Sequence, residues 1–330
     1  MPEPSASPKR RGRLLRCGAA CVVLSAVAGY VVVQYVTGGA GDPGCRVVSA
    51  DAAAAYEFTP EQAVNAATIA AVGTNRNMPR RAVTIALATA LQESALRNLD
   101  HGDRDSLGLF QQRPSQGWGS AREVTDPAYA ANIFYEHLAK VPDYTELPLT
   151  VAAQRVQRSG YPEAYAKHEP DAALLAAALT GTSAASLTCD GRPAAAAVAT
   201  ATGPDAVRAA LVRDFGRDAL QQAGAEVGGA RASASDGAPP VAETSGRTVT
   251  LPVAGRAAAD GREAVEHGWQ LAHWAVANAS ALRIERVTYA GREWVAGHTG
   301  STWRATASTE AAGATGTGGG AGSVRIVTAQ

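Results

Sequence analysis

The chain has 330 residues, with 30 basic and 30 acidic side chains, six His and four Cys. Hydrophobic residues make up 46%, aromatics 5% and charged residues 18%, the last below the ~25% of an average soluble protein. This excludes collagen, a coiled coil, a polytopic membrane protein and a fully disordered chain, and the length suggests about two domains.

The zero net charge conceals an asymmetry. Residues 1–16 carry Lys9, Arg10, Arg11, Arg13 and Arg16 against Glu3, or +5 − 1 = +4, which leaves 25 − 29 = −4 for the rest. A mildly acidic body has no phosphate-neutralising surface, so nucleic acid is not an expected partner. The basic cluster belongs to topology. Residues 17–36, CGAACVVLSAVAGYVVVQYV, contain no charge and as a helix span about 30 Å, the hydrocarbon thickness of a bilayer. Basic residues ahead of such a run predict a cytoplasmic amino terminus and an extracytoplasmic body. The run exceeds the ~7–15 residues of a signal-peptide core, which favours a retained single-pass anchor. Cleavage near Gly38-Gly39-Ala40 would instead release a secreted protein.

Residues 37–55 read as a small-residue tether, and residues 56–189 as a dense helical body. Thr59-Pro60 opens a first helix, with Thr as N-cap and Pro in the first turn. A second helix runs from about Pro79 to Leu96. Residues 98–120 switch to Asp, Gly, Ser and Gln, a loop or small hairpin. Helices resume at about 127–140, 149–158, 162–168 and 171–179. The body is therefore mainly α with one short β excursion. Residues 190–246 form an Ala/Gly/Pro-rich linker around one helix, Asp205 to Gln222. Residues 247–330 read as a small α+β module: strand Thr248 to Val253, helix Gly261 to Leu282, strand Ile284 to Ala290 and strand Ser323 to Thr328. Its run 311–322 is low in complexity.

Cys45 and Cys189 bracket the helical body and, in an oxidising compartment, are free to pair and staple its ends; two unpaired thiols or intermolecular bridges are the alternatives. Cys17 and Cys21 lie at the cytoplasmic end of the anchor and are expected to remain thiols.

Chemistry concentrates at Glu93. On a helix it shares a face with Ala86, Thr89 and Ala90, which is small and apolar. A carboxyl desolvated there has its pKa raised, as a general acid for glycosidic cleavage requires. Fifteen residues after Glu93 comes Gly108-Leu109-Phe110-Gln111-Gln112. Glycine lets backbone approach a ligand, and adjacent Gln side chains offer donors and acceptors for sugar hydroxyl and acetamido groups.

Glu93-Ser94 at a helix end followed by Gly108-Leu109-Phe110-Gln111 resembles the lysozyme-like superfamily, especially soluble lytic transglycosylases and goose-type lysozymes. The resemblance covers about residues 57–170. It implies that Glu93 is the acid/base that cleaves the bond between N-acetylmuramic acid and N-acetylglucosamine in peptidoglycan. Closure of a 1,6-anhydro ring then needs no second carboxylate. Ser94, Gly108, Phe110, Gln111 and Gln112 are implied substrate-binding residues. The family's Ala-Tyr-Asn motif is not found in the comparable stretch, Val151 to Pro162, where Gln154, Gln157 or Tyr161 are left to line the cleft. A hydrolase would need a second carboxylate, for which Asp100, Asp103 and Asp105 are the candidates. A solvated acidic turn is the alternative there, and the spacing misses the EF-hand pattern. Trp118 is a candidate for stacking on a sugar or for a core anchor. The departure at the third motif keeps a second class open: an inactive peptidoglycan-binding or scaffold protein that retains the lysozyme-like fold. A secretion-apparatus accessory protein is a third.

The last module resembles small modules appended to actinobacterial cell-wall proteins. Its His267 and His273 lie six residues apart and so face different sides of a helix, and no HExxH or CxxC occurs. No metal and no cofactor are expected. Trp269, Trp274, Trp294 and Trp303 are its expected core, and a cell-wall or envelope protein is its expected partner.

Overall fold

The computed structural model describes residues 44–191, 203–222, 243–253, 261–297, 301–306 and 322–329. The basic segment 1–16, the run 17–36 expected to be an anchor and most of the run 311–322 lie outside the described residues. Among the described residues no helix is long and apolar enough to cross a membrane. About half of them are helical, and two small antiparallel sheets complete the fold.

The stretch read as a tether contains structure. Strand β1 (Cys45–Val48) and strand β2 (Ala55–Phe58) form a hairpin, and β3 (Leu187–Cys189) pairs with the other edge of β1. The register places Cys45 opposite both Phe58 and Cys189. Cys45 and Cys189 are disulfide-bonded, across a sequence separation of 144 residues. Half of the pairing of β1 is thus with residues far along the chain, which no local pattern announces.

Between β2 and β3 lie the helices of the body. Helix α1 (Pro60–Asn75) begins as its sequence dictates: Thr59 Oγ1 accepts from the Gln62 amide, and Gln62 Oε1 accepts from the Thr59 amide at 2.7 Å. Most of α1 is buried through small residues, Ala63, Ala66, Ala67, Ala70 and Ala71, which let neighbouring helices approach closely. Helix α2 (Arg80–Ser94) is buried continuously from Ala82 to Leu91. Short α3 (Ala121–Val124), then α4 (Pro127–Ala139), α5 (Leu149–Gln157), a 3-10 segment Pro162–His168 and α6 (Glu169–Leu179) complete the body. The expected hairpin region contains one isolated bridge, Leu107 to Gln112, and a 3-10 turn, Pro114–Gln116.

Helix α7 (Pro204–Gln222) is interrupted at Gly216, whose φ is 78°. The second sheet is built from β4 (Glu243–Ser245), β5 (Thr248–Pro252), β6 (Ile284–Tyr289), β7 (Arg292–Val295), β8 (Arg304–Ala305) and β9 (Ser323–Thr328), in the order β4-β5-β9-β6-β7-β8. Helix α8 (Gly261–Ala277) and short α9 (Ala279–Leu282) separate β5 from β6, where the sequence reads one helix. Tyr289, on β6, packs against α8 where Gly268 leaves room: a Cβ there would fall 2.0 Å from its ring.

Body and module share one core, and Pro43–Gln330 is a single compact unit. The four tryptophans are buried as expected, but three also reach outside the module. Trp303 Nε1 donates to the Leu187 carbonyl at 2.9 Å and Trp294 Nε1 to that of Cys189 at 3.1 Å. The outer edge of β3 is therefore capped by indoles rather than by another strand. Trp274 Nε1 donates at 2.8 Å to the buried carboxylate of Asp214, which also accepts from Thr68 Oγ1 at 3.2 Å and from its neighbour Arg213. That one side chain ties α7 to α1 and α8. His273 is fully buried: its Nδ1–H donates to the Ala178 carbonyl at 2.8 Å, and its Nε2 accepts from the Ser186 amide at 3.2 Å. Both bonds are made only by the neutral imidazole, and burial holds its pKa down at about 4.

Candidate active site

Glu93 sits in the last turn of α2, and the end of that helix is unusual. Ala95 and Leu96, with φ of 53° and 58°, both adopt the left-handed region without being glycine. That conformation costs about 1 kcal/mol or more per residue and persists only where neighbours hold it. Two side chains of α1 do so: Gln62 Nε2 donates to the Ala95 carbonyl and Asn65 Nδ2 to that of Leu96, each at 2.8 Å. The chain thus turns sharply away after Ser94, leaving Glu93 at a fixed helix end.

The segment that follows folds back onto this end. Gly108 has φ 75° and approaches α3 so closely that a Cβ would lie 2.1 Å from the Val124 carbonyl oxygen. Only glycine fits that position. The returning loop is fastened by its carbonyls: Ser94 Oγ donates to Leu109 at 2.8 Å, and Gln157 Nε2 to Phe110 at 2.7 Å. Ser94 is itself buried, so its hydroxyl acts within the protein.

The half-buried Glu93 carboxyl accepts a hydrogen bond from the buried Tyr165 hydroxyl, with Oε1 2.6 Å from Oη. Burial raises the pKa of Glu93, and the donors Tyr165 and Gln157 pull it part of the way back. Tyr165 is pushed up in turn, by burial and then by the Glu93 charge. Behind Glu93, His168 Nε2 lies 3.1 Å from Gln92 Oε1, and burial lowers the His168 pKa. The constellation is a carboxyl biased toward its protonated form, oriented by a phenol and an amide, beside a loop whose backbone is locked. Such a group can deliver a proton to a leaving oxygen.

The residues expected from sequence divide into two sets. Glu93, Ser94, Gly108, Phe110 and Gln157 come together, although Phe110 contributes only its backbone, because its ring is buried and stacked on Phe134 with centroids 4.6 Å apart. Gln112 is also buried and gives its amide to the Ala130 carbonyl at 3.1 Å. Gln111, with φ 48°, folds its amide back toward the carbonyls of Gly108 and His101. Tyr161 is 80% exposed and makes no described contact with Glu93. None of the three Asp residues has a described contact with Glu93. Asp100 bonds to His101 at 2.8 Å, and Asp103 lies 4.0 Å from Arg104. Asp105 accepts from the Ser115 amide and from Arg113, which hold its carboxyl well below the usual range. Trp118 stacks on His137 rather than standing free. Among the described residues no group of three His, Cys, Asp or Glu side chains is placed to hold a metal ion.

Tyr165 is the site residue that sequence reasoning misses. The stretch Val151 to Pro162 is where a motif tyrosine is sought, yet the phenol comes from four residues beyond Tyr161. The signal in the sequence is a tyrosine flanked by alanines, Ala164-Tyr165-Ala166, just past that stretch.

Comparison with known families gives a match to part of the chain. Residues 206–315, a third of the chain, match the family described as VldE, C-terminal domain. The matched segment begins on α7, in the stretch read as linker, and continues through α8 into the second sheet. It carries Asp214, His273 and three of the module's buried tryptophans besides Trp269, and it leaves the helical body with Glu93 outside. No curated protein matches the chain.

Proposed function

We propose that the protein is a peptidoglycan-cleaving glycosidase in which Glu93 protonates the oxygen of the bond between N-acetylmuramic acid and N-acetylglucosamine. The observation that carries this reading is the Glu93–Tyr165 pair: a desolvated carboxyl at a fixed helix end, hydrogen-bonded at 2.6 Å, beside the Gly108–Gln112 loop. Burial keeps a carboxylic acid protonated closer to neutral pH, the condition for a general acid. The two described partners of Glu93, Tyr165 and Gln157, are not carboxylates; Asp105 is held by Ser115 and Arg113, and Asp100 and Asp103 stand exposed at the surface with no described contact to Glu93. This favours ring closure by the substrate's own 6-hydroxyl over attack by a carboxylate-steered water. In that course Glu93 gives its proton to the leaving oxygen, then, as carboxylate, takes the proton of the attacking hydroxyl.

The lysozyme-like reading of the body rests on the Glu-Ser pair, the glycine loop and the Ala164-Tyr165 remnant in that order. Membrane tethering through residues 17–36 agrees with the Cys45–Cys189 bridge, since disulfides persist in oxidising compartments outside the cytoplasm. A second reading, a peptidoglycan-binding scaffold without activity, is favoured by one observation: Ala166 stands where the third motif residue would be. Full-length protein incubated with purified peptidoglycan separates them, with released fragments read by mass spectrometry. Anhydromuramyl ends support the first reading. Binding without release supports the second.

A further inference from the structure

We infer that a cavity between the start of α2 and α6 is a second binding site, for a carboxylate carried on small apolar groups, such as the end of a short alanine peptide. It stands at the opposite end of α2 from Glu93, about 18 Å along the helix. The cavity has a volume of about 360 Å³ and is lined by Arg80, Arg81, Thr84, Glu169, Ala173 and Ala177. That volume lies toward the lower end of the range for small-ligand pockets. Ala173 and Ala177 are one turn apart on α6, as are Arg80 and Thr84 on α2, so each helix gives one stripe to the lining. The lining divides into two kinds. Thr84, Ala173 and Ala177 are small, and the Thr84 hydroxyl is committed to the Arg80 carbonyl at 3.1 Å. Arg80, Arg81 and Glu169 are charged.

The charged groups are held in place. Arg81 Nη1 donates to Glu169 Oε1 at 2.6 Å and its Nη2 to the Leu147 carbonyl at 3.1 Å, while Arg80 Nη1 donates to Thr182 Oγ1 at 3.0 Å. A guanidinium carries five N–H donors, and these bonds use only two on Arg81 and one on Arg80. Both side chains therefore keep donors for a planar acceptor, the geometry a carboxylate supplies. Two guanidiniums against one carboxylate leave one net positive charge, which matches a monoanion; the carboxylate in the wall opposes a phosphate dianion. The small stripe of α6 leaves room for methyl groups, and Glu169 can accept an amide N–H of the ligand. Thr182 follows Gly181, where a Cβ would fall 1.7 Å from the Glu266 carbonyl oxygen of α8. The cavity thus lies beside the junction of body and module, a place ligand sites favour.

Binding of N-acetyl-alanyl-alanine, in its L,L and D,D forms, to full-length protein is measured by calorimetry. The inference predicts a one-to-one complex with at least one form, and the preferred form tells an ordinary protein end from a D-alanyl wall peptide. The carboxamide of the same dipeptide, and inorganic phosphate, are expected to bind about tenfold more weakly or worse. Arg80→Gln removes one charge, and Ala173→Leu fills the cavity while leaving every charge in place. Each is expected to weaken binding about tenfold, the order of one charge-assisted hydrogen bond or more, whereas Glu93→Gln binds as wild type does. Absence of binding by either form overturns the inference. Equal binding of acid and carboxamide, or of phosphate and dipeptide, also overturns it, as does indifference to Ala173→Leu, because the carboxylate or the cavity would not be the determinant. Loss of binding with Glu93→Gln places the dipeptide at the acid and overturns it as well. None of these outcomes depends on glycan cleavage, so this inference and the glycosidase reading stand or fall separately.

Discussion

Acid should loosen the junction between the helical body and the carboxy-terminal module, through His273. The imidazole bridges Ala178 and Ser186 of the body from α8, packs against Trp269 and Trp303, and has its pKa held at about 4 by burial. In the unfolded chain a His titrates near 6.5. Above that pH both states hold it neutral, and its contribution is complete. As pH falls below about 6.5 the unfolded chain takes up a proton that the folded chain refuses until about pH 4. Stability is expected to drop by about 2 kcal/mol between pH 7 and 5, and by about 3 kcal/mol by pH 4. Glu93 acts in the opposite sense: its raised pKa favours the folded state as pH falls. His137 and His168, also lowered by burial, act in the same sense as His273 but are partly exposed. The assay is therefore differential: urea unfolding at pH 7, 6 and 5 for wild type and His273→Gln. The variant is expected to be weaker at pH 7 but to lose about 2 kcal/mol less on going to pH 5. Parallel pH profiles for the two proteins would refute the assignment of a neutral, buried His273 at this junction.

Two further substitutions probe the site and the staple. Tyr165→Phe removes a donor that stabilises ionised Glu93, so the alkaline limb of the cleavage profile is expected to move to higher pH, with a lower kcat from the loss of orientation; an unmoved limb in a pH–rate series contradicts the pairing. Cys45→Ser with Cys189→Ser, or reduction of the wild type, is expected to lower unfolding free energy by about 2–5 kcal/mol, because the bridge closes a 144-residue separation; denaturant midpoints with and without reductant check it.

How much of this was legible in the sequence follows from the range of the forces involved. Helix α1 announces itself because its cap is local: Thr59 and Gln62 make the capping box and Pro60 takes the first helical position, all within four residues. Strand β9 is equally clear from the alternation of Ser323–Thr328. Strand β1 is not, because Cys45–Val48 is short and half its pairing is with Leu187–Cys189. The same distance effect hides the junction. Nothing in the spacing of Trp294 or Trp303 reveals that their indoles cap β3, so the sequence reads a linker and a separate module where one core exists. At the site, Glu93, Ser94 and Gly108 were legible as types in order. Phe110 and Gln112 were misjudged in one respect: a polar or aromatic residue in a loop reads as ligand-facing, whereas this loop turns both side chains inward. Tyr165 was hidden by a 3-10 segment, whose period differs from that of the helix expected over 162–168.

The most direct test of the account's central claim replaces Glu93 by Gln in the full-length chain, a change that keeps shape and hydrogen bonding but removes the transferable proton. Wild type and variant are incubated with purified peptidoglycan, and soluble fragments are counted by mass spectrometry. The account predicts anhydromuramyl products from wild type and at least a hundredfold less from Glu93→Gln, the order of a lost general acid, with unchanged thermal unfolding. Equal release by the two proteins would contradict it.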